Sequence, residues 1–184
     1  MAKWFLEPGH TAAEFCVRHM MVTHVRGCFK NVRGSLTFDP QRPQDAAVEV
    51  TMDAAQLWTG EPDRDAHLKS ADFLDAASHP AITFRSTRVE LLGGHDFAVH
   101  GNLTIRGVTR PVTLRASFLG QWQTPWWEGN QDKGPRTRAG FVATTQINRH
   151  DFGVSWNAPL DRGGVVVGDT VEITLDAEAI LESP

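Results

Sequence analysis

Apolar and polar residues alternate with a period of two along most of this chain. Near the start, Ala13, Phe15 and Val17 fall on one face, and the same alternation runs through residues 171–179. This period is typical of a strand with one buried face. Only residues 58–86 read as helix, so the chain lacks the helices that usually connect parallel strands. The pattern therefore predicts an all-β chain of about eight antiparallel strands.

Eight strands joined by short turns can close into a barrel, whose interior either packs solid or holds one small ligand. The inward-facing positions mix large and small side chains: Phe15, Phe38, Phe84 and Phe97 with Ala13, Gly34, Ala116, Ala139, Ala143 and Ala177. Small inward residues leave room for a ligand, or merely fit the taper of the barrel. A chain of 184 residues is most simply one domain, 1–184.

Residues 58–86 predict a short helical lid over one end of the barrel. Pro62 suits a first helical turn, and Pro80 ends the segment before the next strand. The apolar side, which we expect to face the barrel mouth, comprises Leu68, Phe73 and Leu74. The residues expected to face water are Asp63, Arg64 and Lys69.

The lid stretch also carries a motif. It reads R-D-x-H-L-x-S-x-D-F from Arg64 to Phe73, then P-x-I-x-F-x-S from Pro80 to Ser86. The segments FCVRHM, GNLTIRGVTRPVTL, TTQINRHDFGV and GDTVEITLDAE occur elsewhere in the chain. Together they resemble the signature of the YceI-like polyisoprenoid-binding proteins over nearly the whole chain. The resemblance implies an antiparallel, eight-stranded, lipocalin-like barrel with a short helical lid.

The same resemblance implies a function. The protein is expected to bind a long-chain isoprenoid lipid, of the polyprenyl or isoprenoid quinone type, for storage, transport or presentation. The candidate apolar lining residues are Phe15, Val17, Leu36, Phe38, Val50, Met52, Leu68, Phe73, Ile82, Phe84, Leu103, Leu114, Phe118 and Phe141. The bound lipid is the only cofactor-like group expected.

Two polar residues join the candidate ligand-binding set. His19 continues the inward face after Val17 and is either a hydrogen-bonded histidine at the barrel end or a donor to a ligand's polar head. Arg149 is inward by strand parity, and a buried arginine needs a partner. Asp65, Asp72 or a ligand oxygen could provide it.

Two other classes of function remain open. One is an enzyme that acts on an isoprenoid or quinone-like lipid at the barrel mouth, with His19, Arg149 and Asp65 as its polar groups. The other is an interaction module whose barrel is filled by side chains. No HExxH, GxSxG, GxGxxG or P-loop motif is present, so no catalytic residue is assigned. No metal ligand is assigned either, because alternation sends Cys16 and His19 to opposite faces.

Composition and the N-terminal segment limit the classes of partner and the cellular compartment that we expect. A formal net charge of −4 argues against a nucleic-acid surface, and no apolar run is long enough to span a membrane. The start, MAKWFLEPGH, lacks the apolar segment of a secretory signal, which predicts a cytoplasmic protein in which Cys16 and Cys28 are free thiols. The loop with Trp122, Trp126 and Trp127 either contacts a membrane or protein or folds onto the barrel mouth. A homodimer remains open.

Overall fold

The computed structural model describes residues 1–182. Its strands and its helix are, in chain order, β1 (Ala2–Leu6), β2 (Ala12–His19), β3 (Thr23–Phe29), β4 (Arg33–Phe38), β5 (Ala47–Asp53), β6 (Leu57–Trp58), α1 (Pro62–Lys69), β7 (Ala81–Gly93), β8 (Asp96–Ile105), β9 (Val108–Thr124), β10 (Trp127–Glu128), β11 (Gln131–Asp132), β12 (Arg136–Asn148) and β13 (Val167–Leu181). Short 3₁₀ turns lie at Pro43–Asp45, Ala54–Gln56 and Arg149–Phe152.

A closed antiparallel barrel is built from β1, β4, β5, β7, β8, β9, β12 and β13. Strand β13 closes it. One edge of β13 pairs with β12, and the other pairs with β1 near its C-terminal end and with β2 near its N-terminal end. Trp4 thus lies opposite Leu181, and Val17 lies opposite Val171. The predicted eight-stranded, all-β barrel is confirmed, and β3 and β6 extend the sheet beyond β2.

Two segments differ from the prediction. Strand β1 was not expected, yet Trp4 and Leu6 are buried and the Trp4 Nε1 donates to the Phe38 carbonyl oxygen at 3.2 Å. Residues 120–136 were expected to be a loop, but β9 and β12 continue into them, with Trp122 paired to Arg138. The cross-strand ladder organises a segment whose Gln, Pro and Gly content hides its strands.

The Trp side chains of this segment do not all fold onto the barrel. Trp122 and Trp127 are exposed by 78% and 58%. The Trp126 ring instead lies under the Arg138 guanidinium, whose carbon is 5.1 Å from the ring centroid.

Strand β7 contains a β-bulge. Its register against β8 shifts between Ser86 and Arg88, which lets both Phe84 and Val89 face the core. An extra residue of this kind bends a strand and helps a sheet to curve into a barrel. Strand β7 ends at Gly93, and Gly94 and His95 form the hairpin turn to β8. The positive φ of Gly93 and Gly94, 139° and 56°, is readily adopted by glycine.

The lid begins with the short helix α1 at Pro62. The Glu61 carboxylate caps the helix by accepting from the amides of Asp63 and Arg64, at 3.4 and 2.7 Å. Acceptors at this position satisfy amides that have no partner within the helix. Turns follow through residue 78, and Phe73, 5% exposed, anchors them to the core.

Hydrogen bonds to Thr59 hold the start of the lid in place. The buried Asp65 carboxylate accepts from the Thr59 amide at 2.8 Å and from its hydroxyl at 2.5 Å. Arg64 donates to the Thr59 hydroxyl at 2.8 Å and to its carbonyl oxygen at 3.1 Å. Arg64 is therefore half-buried rather than facing water as predicted. Lys69 is half-buried as well, whereas Asp63 is exposed.

The two cysteines are buried free thiols on neighbouring strands. Cys28 pairs with Glu14 and Cys16 pairs with Arg26, so both side chains lie on the same face of the β2–β3 hairpin. The barrel supplies its own core and needs no covalent cross-link here.

We expect a thiol reagent to react slowly with the native protein and to label both Cys16 and Cys28 after unfolding under non-reducing conditions. Burial restricts access of the reagent in the native state. The check is a timed thiol count with and without denaturant. An unfolded sample without reactive thiols would show a disulfide and contradict the structure.

Candidate functional site

The inside of the barrel contains two apolar cavities, of about 170 and 150 Å³. We call the one beneath Leu68, Phe73 and Leu74 the lid chamber, and the one reaching Phe38, Phe97 and Phe141 the distal chamber. Both arise from the same alternation that forms the strands, which sends large and small apolar side chains inward. The barrel is therefore not packed solid.

The distal chamber is lined almost wholly by hydrocarbon. Its polar side chains are Thr11 and Thr145, and both hydroxyls donate to backbone carbonyl oxygens, of Glu178 at 3.3 Å and Thr113 at 2.9 Å. Phe38 contacts Phe118 and Phe141, with ring centroids 5.0 and 5.1 Å apart. This aromatic cluster closes the end of the barrel away from the lid.

The lid chamber has Arg149 in its wall. Its guanidinium donates to the carbonyl oxygens of Val154 at 2.7 Å, Trp156 at 2.9 Å, Val167 at 3.3 Å and Gly168 at 2.8 Å. The prediction that Asp65 or Asp72 pairs with Arg149 is wrong, because backbone oxygens of residues 154–168 satisfy it. Arg149 is 4% exposed, and this burial lowers its pKa, while the negative charge of Asp169 opposes the shift.

Three side chains lie where the two chambers adjoin. Met52, Leu103 and Ile173 line both cavities, and we call these three residues the waist. Leu103 is buried in β8, and Met52 projects from β5. Methionine is unbranched and flexible, so Met52 is the waist residue best able to move aside.

The predicted apolar residues meet in these chambers with one exception. All of them line a wall except Phe118, which lies behind Phe38 and Phe141 in the aromatic cluster. His19 also lines neither chamber; it lies at the end of β2, opposite Val167. Whether any of these residues binds a ligand stays a prediction.

Sequence reasoning missed lining residues of two kinds. Leu6 and Val32 belong to strand or near-strand positions that the alternation could have supplied, whereas Phe97 was predicted to face inward but was left out of the candidate lining set. Phe152 and Val154 lie in a 3₁₀ turn and the loop after it, where no periodicity exists to identify them.

A polar cluster of Glu90, His100 and Arg88 lies away from the chambers, on exposed parts of β7 and β8. The hydrogen bond from His100 to Glu90 and the charge of Arg88 hold the pKa of the Glu90 carboxyl below its usual range. Within residues 1–182, no three His, Cys, Asp or Glu side chains are placed to hold a metal ion together. No helix in that range has the length and apolar character needed to span a membrane.

Comparison with known sequences places the chain among relatives of similar length. The model of the YceI-like domain matches residues 4–179. A UPF0312 protein of Pseudomonas putida (strain W619) is 34% identical over 174 residues, which covers 95% of this chain and 83% of the relative. A UPF0312 protein of Azotobacter vinelandii is 36% identical over 148 residues, covering 80% and 73%.

Solved structures share the barrel fold. BcnA of Burkholderia cenocepacia matches with a TM-score of 0.75 at 23% identity, covering 94% of this chain and 98% of that one. The YCEI protein of Campylobacter jejuni matches with a TM-score of 0.73 at 25% identity, covering 90% of each chain. A polyisoprenoid binding domain from Saccharophagus degradans, implicated in plant cell wall breakdown, matches with a TM-score of 0.65 at 11% identity, covering 99% and 100%.

We expect Phe73→Ala to loosen the lid more than the barrel. Phe73 and Phe84 are buried to nearly the same extent, 5% and 6% exposed, but Phe73 lies in a segment of short turns and Phe84 in a barrel strand. Phe84→Ala should reduce the free energy of unfolding by about 3–5 kcal/mol, and Phe73→Ala by less. Amide hydrogen exchange should speed up across α1 in Phe73→Ala while β7 stays protected.

A denaturant melt and hydrogen exchange on both variants test this expectation. If Phe73→Ala destabilises as much as Phe84→Ala and exchange rises uniformly, the lid is part of the global core and not a separately opening unit.

Proposed function

Because this chain belongs to the YceI-like family, we propose that it binds a long-chain isoprenoid lipid inside the barrel. The observation that carries the proposal is the pair of adjoining apolar chambers beneath a lid. The polar side chains of Thr11, Thr145 and Arg149 lie in the chamber walls. They donate hydrogen bonds to carbonyl oxygens of the chain itself. The name of the Saccharophagus degradans domain, which describes polyisoprenoid binding, supports the same class of ligand.

Hydrophobic burial alone can supply the affinity. One buried CH₂ contributes ~0.8 kcal/mol, so a five-carbon isoprene unit offers roughly 3–4 kcal/mol. A few units would approach the practical limit of non-covalent affinity, about −18 to −21 kcal/mol. Selectivity among apolar ligands is then set by the length and shape of the chambers rather than by a polar anchor.

The chambers set a limit on ligand length in the closed form. An apolar cavity of about 150 Å³ accommodates a benzene-sized guest, so each chamber, about 170 and 150 Å³, holds roughly one or two isoprene units. A longer chain requires the waist to open and join the chambers. Together the two volumes reach only the lower end of the 300–1,000 Å³ typical of ligand pockets.

The enzyme alternative would act on the same lipid through His19, Arg149 and Asp65. Asp65 is bonded to Thr59, Arg149 to backbone oxygens, and His19 lines neither chamber. These positions favour capture over turnover, and we propose a binding protein. A role in storage, transport or presentation and a cytoplasmic location stay predictions.

Mass spectrometry of an organic extract of the purified protein tests the proposal. We expect a prenyl lipid in the wild-type extract and much less in Ala143→Phe, because Ala143 lines the distal chamber and a phenyl ring there would fill it. Thr144→Phe is the matched control, because Thr144 is the next residue in the chain and its side chain is exposed. Extracts without prenyl lipid, combined with no binding of added prenyl alcohols, would contradict the proposal.

We expect Met52→Ala to favour longer ligands. Removing the flexible waist side chain should join the chambers. The affinity for prenyl alcohols too long for one chamber should then rise by about tenfold. This gain is a fraction of the roughly 3–4 kcal/mol that each added isoprene unit can contribute. Calorimetric titration of a prenyl alcohol series checks this. Thr51→Ala, an exposed neighbour on β5, is the control, and an unchanged length profile in Met52→Ala would show that the waist does not limit the ligand.

A further inference from the structure

The turn between β2 and β3 exposes apolar side chains in a strained conformation. The Val22 amide donates to the His19 carbonyl oxygen at 3.2 Å, and the central residues Met20 and Met21 have φ of 48° and 62°. Positive φ at both central positions defines the type I′ turn, which strongly favours Asn-Gly or Asp-Gly. Met20, Met21 and Val22 are nevertheless 46%, 47% and 84% exposed, so packing within the protein accounts for these residue types only in part.

A second loop widens this surface. The Met20 amide donates to the Val166 carbonyl oxygen at 2.8 Å, and the Met21 Cγ lies close against Gly164, 3.0 Å from where a Cβ would stand. Val165 on the same loop is 36% exposed. We call Met20, Met21, Val22 and Val165 the apolar tip.

Two arginines, Arg18 and Arg26, flank the apolar tip, and the Arg18 guanidinium also donates to the Met21 carbonyl oxygen at 2.6 Å. The exposed Arg18 and His24 face each other across the hairpin, and the exposed Arg26 follows on β3. Residues 18–26 contain no carboxylate, although the chain as a whole has a net charge of −4. The neighbouring segment carries Asp161, Arg162 and Asp169, and the Asp169 carboxylate pairs with His150.

The apolar tip lies beside the lid chamber. Val17, three residues before Met20, lines that chamber, and so does Val167, which directly follows the Val166 carbonyl that holds the tip. Whatever the tip contacts is therefore brought to the lid end of the barrel.

We propose that the apolar tip docks on a lipid bilayer carrying anionic headgroups, which places the lid chamber against the membrane for transfer of the prenyl ligand. A small convex set of apolar side chains with flanking cations suits the interface of a bilayer. Its four residues are far fewer than the roughly 20–30 that each partner contributes to a stable protein interface. The transfer step rests on the proposed function, whereas docking does not.

Flotation with vesicles that contain no isoprenoid tests the docking directly. The full chain is mixed with vesicles of phosphatidylcholine alone or of phosphatidylcholine with phosphatidylglycerol. We expect binding to the mixed vesicles, at least about tenfold weaker binding to the neutral ones, and a loss of binding at high salt.

The decisive variant is Met20→Asn combined with Met21→Gly. It supplies the residues that the turn prefers, so the protein should fold at least as stably, yet vesicle binding should fall by about tenfold or more. Leu91→Ser with Leu92→Ser is the matched control, because these leucines are 53% and 50% exposed on the hairpin at the opposite end of the barrel. Arg26→Gln should weaken binding to the mixed vesicles only.

Three results would overturn the docking proposal. The first is no binding of the wild type to the mixed vesicles at low salt, and the second is full binding by the Met20→Asn, Met21→Gly variant. The third is loss of binding only in Trp122→Ser with Trp127→Ser, which would assign the contact to the other exposed apolar surface. A dimer that this turn variant dissociates, without any vesicle binding, would assign the tip to self-association. Absence of prenyl lipid from the organic extract would contradict the proposed ligand, but it would not affect the vesicle-binding test of docking.

Discussion

Backbone pairing along β13 is the constraint on which the rest of the structure depends. On one edge this strand is shared between β1 and β2, and on the other it pairs with β12. Closure gives each barrel strand a partner on both sides, which removes exposed edges and compels one set of side chains to face inward. The chambers, the aromatic cluster and the waist all follow from this enclosure.

The interior shows how a barrel can capture a ligand without reactive groups. Buried polar groups are costly unless they are hydrogen-bonded. In this protein, other groups of the chain satisfy the buried polar side chains. Arg149, for example, donates to four carbonyl oxygens and thereby holds residues 154–168 over the side of the lid chamber. The wall that a ligand meets is left almost entirely apolar, so burial of hydrocarbon becomes the dominant source of affinity.

We expect access to this interior to depend on the lid, because its elements are held by fewer contacts than the barrel strands. Helix α1 has eight residues and is too short to be stable by itself, so its position depends on the Thr59 contacts of Arg64 and Asp65 and on the packing of Phe73. Segments held by few contacts open locally at a lower free-energy cost than the whole fold. The apolar tip lies at the same end of the barrel, so the exposed apolar surface and the lid of the chamber occur together.

The sequence by itself determined most of the secondary structure and most of the lining, but not strand β1 or the strands within residues 120–136. Alternation assigns side chains such as Phe84 and Leu103 to the inner face because a strand repeats every two residues, and Pro62 and Pro80 bound the lid because proline restricts helix geometry. Only the tertiary structure decided the partners of Arg149, the sharing of β13 between β1 and β2, and the division of the interior by Met52, Leu103 and Ile173. Each of these depends on contacts between residues distant in the chain, and a local periodic pattern carries no information about which distant strand or carbonyl oxygen will lie opposite.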